Sequence, residues 1–295
     1  MPYTVVRGIR VHHLTEGQGP DVIMIHGFLE NLAVWHLGLA PIVRDEVRLT
    51  TYDLRGHGRS DLSSCGYTPD ALAADLEALM DGLGIGRAVL VGRSFGADVA
   101  LHAAVRSPDR VAGLVAIEPA LVGGLSRPGD EAWGGWRYWG GLLAEAGVAV
   151  PAERRTDLPF LLEQAVMTSA FDGPFPAGPR KRDRLLRLIR ETALVAESGE
   201  VFGLTRDVVR GIRQPVLLVY GGRSPFLASL AFLRGALRRS RTLIVPDAEH
   251  LTPWDRARLI GDEILRFVRR LGRGRAGAGG PRPPMNPALV EAPGR

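Results

Sequence analysis

The 295-residue chain has almost no lysine and almost no cysteine: Lys181 and Cys65 are the single examples. One cysteine excludes an intrachain disulfide and fits a cytoplasmic location. No apolar run approaches the length of a membrane span. The opening residues, Met-Pro-Tyr-Thr-Val-Val-Arg-Gly-Ile-Arg, lack the apolar centre of a secretory signal. Neither H-E-x-x-H nor paired Cys/His spacing occurs, so no metal site is expected. No Gly-rich phosphate loop carries a lysine, and no cofactor is expected. The formal charge of +5 rests almost wholly on arginine. It permits acidic partners, but no nucleic-acid motif accompanies it. What remains is ordinary for a globular protein, with 45% hydrophobic and 23% charged residues. The length permits one large α/β domain or two small ones.

The most informative stretch is Val89–Ala97, Val-Leu-Val-Gly-Arg-Ser-Phe-Gly-Ala. An apolar strand enters it and a helix of Ala, Val and Leu leaves it. Between them, Gly92-Arg93-Ser94-Phe95-Gly96 matches G-x-S-x-G. A turn from strand straight into helix forces its central residue into strained geometry, and the flanking glycines let neighbouring backbones approach. The Ser94 hydroxyl is then held above a helix N-terminus, which favours negative charge.

Around this centre the chain alternates strands and helices. Tyr3–Val6, Ile9–Leu14, Asp21–Ile25, Glu46–Tyr52, Arg110–Glu118, Pro215–Tyr220 and Arg241–Val245 read as strands. Helices are expected near Ala33–Val43, after Thr68-Pro69-Asp70, near Phe226–Arg238 and over Pro253–Leu271. Such alternation argues for a parallel sheet covered on both faces. Residues 120–205 break the pattern: they hold Trp133, Trp136 and Trp139, a Pro/Gly-rich turn at Phe171–Pro179 and no convincing strand. The expected organisation is a core of residues 1–119 and 206–271, a helical cap over 120–205, and a disordered tail over 272–295 rich in Gly, Pro, Ala and Arg.

His26-Gly27-Phe28, Asp53-Leu54-Arg55-Gly56-His57-Gly58-Arg59-Ser60, the Ser94 turn and a late His250 each follow a strand. In that order they resemble the serine-nucleophile branch of the α/β-hydrolase superfamily, across nearly all of residues 3–271. The resemblance implies an α/β-hydrolase fold: an eight-stranded, mostly parallel sheet with helices on both faces and a helical cap insertion. It implies Ser94 as nucleophile and His250 as the base a weak hydroxyl nucleophile needs. It also implies an oxyanion hole from the backbone N–H groups of Phe28 and Phe95. His26 and His57 belong to the structural motifs of this resemblance and read as backbone organisers. His12, His13, His36 and His102 have no motif around them.

The acid departs from the commonest pattern. Many relatives carry an aspartate after the strand that corresponds to Pro215–Tyr220. Here that loop reads Gly221-Gly222-Arg223-Ser224-Pro225-Phe226, and no Asp or Glu occurs between Gln214 and Pro246. Glu118 ends the strand after the nucleophile helix, and some members of the fold keep their acid there. That choice preserves the order Ser94, Glu118, His250, and pairing with His250 would explain a carboxylate on an apolar strand. Asp247 and Glu249 are rivals on the His250 loop, and Asp98, one turn into the nucleophile helix, is another. Asp53 reads as scaffold for the Arg55/His57 loop.

A covalent serine mechanism suits ester or thioester cleavage. An acid after the earlier strand, a serine elbow and a cap also resemble, more weakly, the dedicated chain-releasing thioesterases of polyketide and polyether pathways. That implies an acyl chain released from a carrier. Arg180–Arg190 forms a basic amphipathic helix, read either as a solvated face or as a dock for an acidic acyl carrier protein or an anionic surface. The tryptophans read equally as cap core or as walls of an apolar pocket. Hydrolase-fold chemistry of elimination or cyclisation, and binding without turnover, stay open beside hydrolysis.

Overall fold

In the computed structural model the described residues are 2–120, 133–168, 170, 178–199, 204–250, 254–273 and 289–291. The apolar runs become neighbours in one sheet. Its strands are β1 (Tyr3–Val6), β2 (Ile9–Glu16), β3 (Asp21–Ile25), β4 (Arg48–Tyr52), β5 (Ala88–Arg93), β6 (Val111–Ile117), β7 (Val216–Gly221), β8 (Ser240–Val245) and β9 (Leu289–Glu291). Their order is β1-β2-β4-β3-β5-β6-β7-β8-β9. β3 through β8 run parallel, while β1, β2 and β9 pair antiparallel at the two edges. Every residue of β5 and β7 is buried, which is why these runs are continuously apolar rather than alternating.

Helices cover both faces. On one side lie α3 (Pro69–Gly82) and α4 (Phe95–Arg106), with Leu72, Leu76, Val99 and Leu101 in the core. On the other lie α1 (Ala33–His36), α2 (Ala40–Val43) and α11 (Ala257–Arg273), which bury Trp35, Leu39, Ile260 and Ile264. α3 starts as its sequence dictates: Pro69 fills the first position and Thr68 Oγ1 accepts from Ala71 N at 3.1 Å. The single helix expected over Ala33–Val43 is instead two short ones. Gly38 lies between them, and Pro41 has no N–H to continue the ladder.

Between β6 and β7 the described residues form α5 (Gly134–Glu145), α6 (Leu158–Thr168), α7 (Pro179–Arg190), α8 (Leu194–Ser198) and α9 (Arg206–Arg210), with no strand among them. α10 (Leu227–Ala236) follows β7. Most of the turn expected at Phe171–Pro179 lies outside the described residues; Gly178 and Pro179 open α7. The tail expected to be disordered from residue 272 is described in two places, both structured. Gly272 and Arg273 complete α11, and Leu289–Glu291 pairs with β8 as a ninth strand. The exposed edge of β8 offers unpaired backbone groups, and a three-residue extended segment suffices to satisfy some of them. The rest of the tail lies outside the described residues. No helix among the described residues is long and apolar enough to cross a membrane.

Candidate active site

The parallel strands aim their carboxyl ends at one region. β5 ends there with Arg93 and is followed directly by Ser94, β6 ends with Ile117 and is followed by Glu118, and β7 ends with Gly221, three residues before Ser224. Ser94 caps α4 at φ 50°, ψ −123°, the strained conformation its sequence context calls for. Its N–H donates to Ile117 O at 2.7 Å, which fixes the turn to β6. The glycines are required by close approach. A Cβ on Gly92 would lie 2.3 Å from Gly96 O, and one on Gly96 would lie 2.2 Å from Ile25 O.

Glu118 follows β6 at φ 54°, again unusual for a residue with a side chain. Its carboxylate is fully buried and well satisfied. Oε1 accepts from Gly221 N at 2.6 Å, and Oε2 accepts from the Ser224 hydroxyl and lies 3.4 Å from His250 Nδ1. Of the acids weighed from sequence, Glu118 is therefore the one whose carboxylate the fold brings to His250. Asp247 and Glu249 are exposed on the loop, and only the backbone carbonyl of Asp247 is used, by Arg223. Asp98 is buried but points into the pocket from α4.

Sequence reasoning passed over Ser224 as an empty acid position. The structure makes it a support: its hydroxyl donates to Glu118 and accepts from Phe226 N at 3.0 Å. A hydroxyl at the place where the resemblance implies a carboxylate was the available signal.

His250 is buried beneath the rings of Tyr138 and Phe226, whose centroids lie 4.7 and 5.0 Å from its own. Burial pushes the imidazole below the ordinary histidine value, although Glu118 acts to raise it. His250 is thus neutral near pH 7, with a nitrogen able to take a proton. Ser94 and His250 line one pocket of about 50 Å³, together with Phe28, Phe95, Trp133 and Trp139. No hydrogen bond joins the Ser94 hydroxyl to His250 among the described residues; such contacts often tighten only when substrate is bound. Trp133 and Trp139 are both buried core and pocket wall, so the two readings of the tryptophans hold at once.

The loop after β3 carries the other half of the site. His26 Nε2 accepts from Leu54 N at 2.9 Å, so the proton sits on Nδ1, which donates to Gly27 O at 2.8 Å. His57 Nδ1 is held by Arg55 O at 2.8 Å, and burial drives its pKa down to about 3. Both rings organise backbone, 5.2 Å apart. Asp53 does the same: its carboxylate accepts from Leu32 N and Arg59 N, and from His12 Nδ1, each at 2.8 Å. Phe28 and Phe95 meet edge to face at 5.3 Å, and no described group accepts from either backbone N–H.

Arg93 and Glu30 escaped the sequence reading. The Arg93 guanidinium is 4% exposed and pairs with Glu30, whose other oxygen accepts from Gly27 N at 2.7 Å. Burial opposes the Arg93 charge, but Glu30 and a hydrogen bond with Tyr138 prevail, so its pKa is raised. One ion pair thus ties the serine turn to the loop of Phe28 and to α5. The signal was a charge at the end of a buried strand.

A second, larger cleft of about 670 Å³ opens on the far side of the same loop, lined by Glu30, Asn31, Arg59, Arg180, Lys181 and Arg184 among others. The side chains of Arg59 and Arg180 have no carboxylate partner among the described residues.

Comparison with known proteins agrees with this architecture. A family model described as the α/β hydrolase fold matches residues 20–257. The chain is 31% identical over 242 residues to a 2-(acetamidomethylene)succinate hydrolase from Mesorhizobium japonicum, covering 80% of this chain and 83% of that protein. It is 27% identical to a dihydrolipoyllysine-residue acetyltransferase component of the acetoin cleaving system from Pseudomonas putida, over 85% of this chain but only 64% of that one. Among solved structures, the enol-lactonase from Burkholderia xenovorans LB400 superposes with a TM-score of 0.66 at 22% identity, covering 91% of this chain and 100% of the other.

Proposed function

We propose that this chain, which belongs to the α/β-hydrolase family, is a serine hydrolase that cleaves an ester or thioester through an acyl-enzyme. The observation that carries the reading is the Glu118 carboxylate 3.4 Å from His250 Nδ1, with His250 and Ser94 facing one pocket. Glu118 holds the imidazole so that Nδ1–H points at the carboxylate and Nε2 is the free base. Nε2 takes the Ser94 proton as Oγ attacks the substrate carbonyl. The oxyanion accepts from the N–H groups of Phe28 and Phe95, and His250 returns the proton to the leaving alcohol or thiol. Water, deprotonated by His250, then attacks the acyl-enzyme and releases a carboxylic acid and free Ser94.

The substrate we favour is a polyketide-type acyl chain on an acidic carrier protein. α7 supports it. Leu185, Leu188 and Ile189 face the core, while Arg187 and Arg190 pair with Glu191 and Glu163. Arg180, together with Arg59, lines the larger cleft with no carboxylate partner among the described residues, and complements an acidic partner.

A fluorophosphonate probe tests the nucleophile. Labelling that maps to Ser94 and vanishes in Ser94→Ala supports the reading. An unlabelled wild-type protein would replace it with binding without turnover.

A further inference from the structure

The proposed mechanism leaves one buried carboxylate unused. Asp98 lies four residues after Ser94 on α4, so the two side chains share a helix face about one turn, ~5.4 Å, apart. It is fully buried and lines the pocket of Ser94 and His250. A first-turn acid complements the positive end of a helix, but an exposed one does so without desolvation. Asp98 also interacts within the fold, yet a carboxylate offers about four acceptor sites. Lining the same pocket is a residue with a buried donor. Trp133 is 6% exposed, and its indole N–H meets no acceptor among the described residues. Trp136 stacks edge to face on it at 4.8 Å and holds the ring. Ser198, 3% exposed, adds a hydroxyl whose proton is already given to Val195 O at 3.2 Å, so it too can only accept. Buried donors without acceptors are uncommon and ask for a ligand or water.

We infer that Asp98 and Trp133 form a polar subsite that selects acyl groups bearing a hydroxyl a few carbons from the scissile carbonyl. This rests on the acyl-hydrolase reading and names its substrate class. A hydroxyl is the small group that donates to a carboxylate and accepts from an indole N–H at once. A pocket of about 50 Å³ has room for such a substituent beside the reacting carbon. An acyl group without the hydroxyl leaves the Trp133 N–H desolvated and unmatched and gains no bond to Asp98, which is how a polar subsite rejects an analogue.

The test compares N-acetylcysteamine thioesters of 2-, 3- and 4-hydroxyhexanoate with that of hexanoate. One hydroxy isomer should exceed hexanoate in kcat/KM by roughly tenfold to a hundredfold. That ratio should fall toward one in both Asp98→Asn and Trp133→Phe. A helix-stabilising role alone would lower all four substrates together and leave the ratio intact. Binding supplies a readout without turnover: in Ser94→Ala, calorimetric Kd values for the four free acids should show the same preference. Equal values of kcat/KM and of Kd across the series would overturn the inference while leaving the hydrolase reading standing. No cleavage of any thioester, with the Kd preference retained, would sink the thioester reading and keep the subsite.

Discussion

Two cavities flank one loop. Phe28 faces the small apolar pocket of Ser94 and His250, while Leu29 to Leu32 face the larger basic cleft beneath α7. The small pocket has its acid and its loop fixed in place. Glu118, Ser224 and Gly221 hold one another, and Arg93 with Glu30 holds the loop itself. The large cleft keeps two arginines, Arg59 and Arg180, with no carboxylate partner among the described residues. Chemistry needs groups preorganised before the substrate arrives, whereas attraction of a charged partner needs only sign and exposure. Glu30 lines the large cleft and reaches the small pocket only through its contacts with Arg93 and Gly27, so the two cavities are linked by an ion pair but share no lining residue.

The largest effect should come from the fixed side. Glu118→Gln keeps the shape and the contact with Gly221 N but removes the charge opposite His250. Turnover should fall by roughly 10³- to 10⁴-fold, with thermal unfolding little changed. Ser224→Ala should cost less, about tenfold, because it removes one of the contacts to the carboxylate. Wild-type turnover in Glu118→Gln would send the acid role to Asp98 or Asp247, and with it the account of a preorganised pocket.

How much of this the sequence displayed depends on how local the cause was. The strands β3, β5 and β7 and the start of α3 follow from apolar runs and from Thr68-Pro69, all within a few residues. The geometry at Ser94 is forced by its own glycines, so it too was legible. The approach of Glu118 to His250 was legible because a carboxylate closing an apolar strand needs a partner. Ser224, Glu30 and Arg93 were not. Their partners lie 106 residues away for Ser224 and 63 for the ion pair, and nothing in local composition points to them. The cleft arginines without a carboxylate partner among the described residues were hidden for the same reason. A basic helix shows its charges in sequence, but which of them find carboxylates is decided by packing against distant acids such as Glu163.

The unneutralised side predicts a smaller effect. Arg59→Ala combined with Arg180→Ala should lower kcat/KM for a carrier-bound acyl thioester relative to the same acyl group on N-acetylcysteamine, by about tenfold at low salt. Raised ionic strength should erase the difference, since exposed charges are screened over about a Debye length, roughly 8 Å at physiological salt. An unchanged ratio at low salt would mean that the cleft is merely a solvated face.

The smallest effect concerns how the pocket's aromatic cover sets its base. Burial is the largest influence on His250 and lowers its pKa; Arg93 lowers it further, while Glu118 and Glu30 raise it. The base must be neutral to act, so activity is lost as pH falls through its pKa. The acid limb of kcat/KM, which reports the free enzyme, should therefore lie below pH 6.5, the ordinary histidine value. Tyr138 covers the ring at 4.7 Å from α5. Tyr138→Ala admits water, weakens the desolvation and should move the limb upward toward 6.5. Tyr138→Phe keeps the ring and should leave the limb closer to its original place, although it loses the hydrogen bond with Arg93. A limb that moves equally in both variants would assign the setting of the base to the Arg93 contact rather than to the cover. The preorganisation of the small pocket would then run through its ion pair, and α5 would serve only to close it.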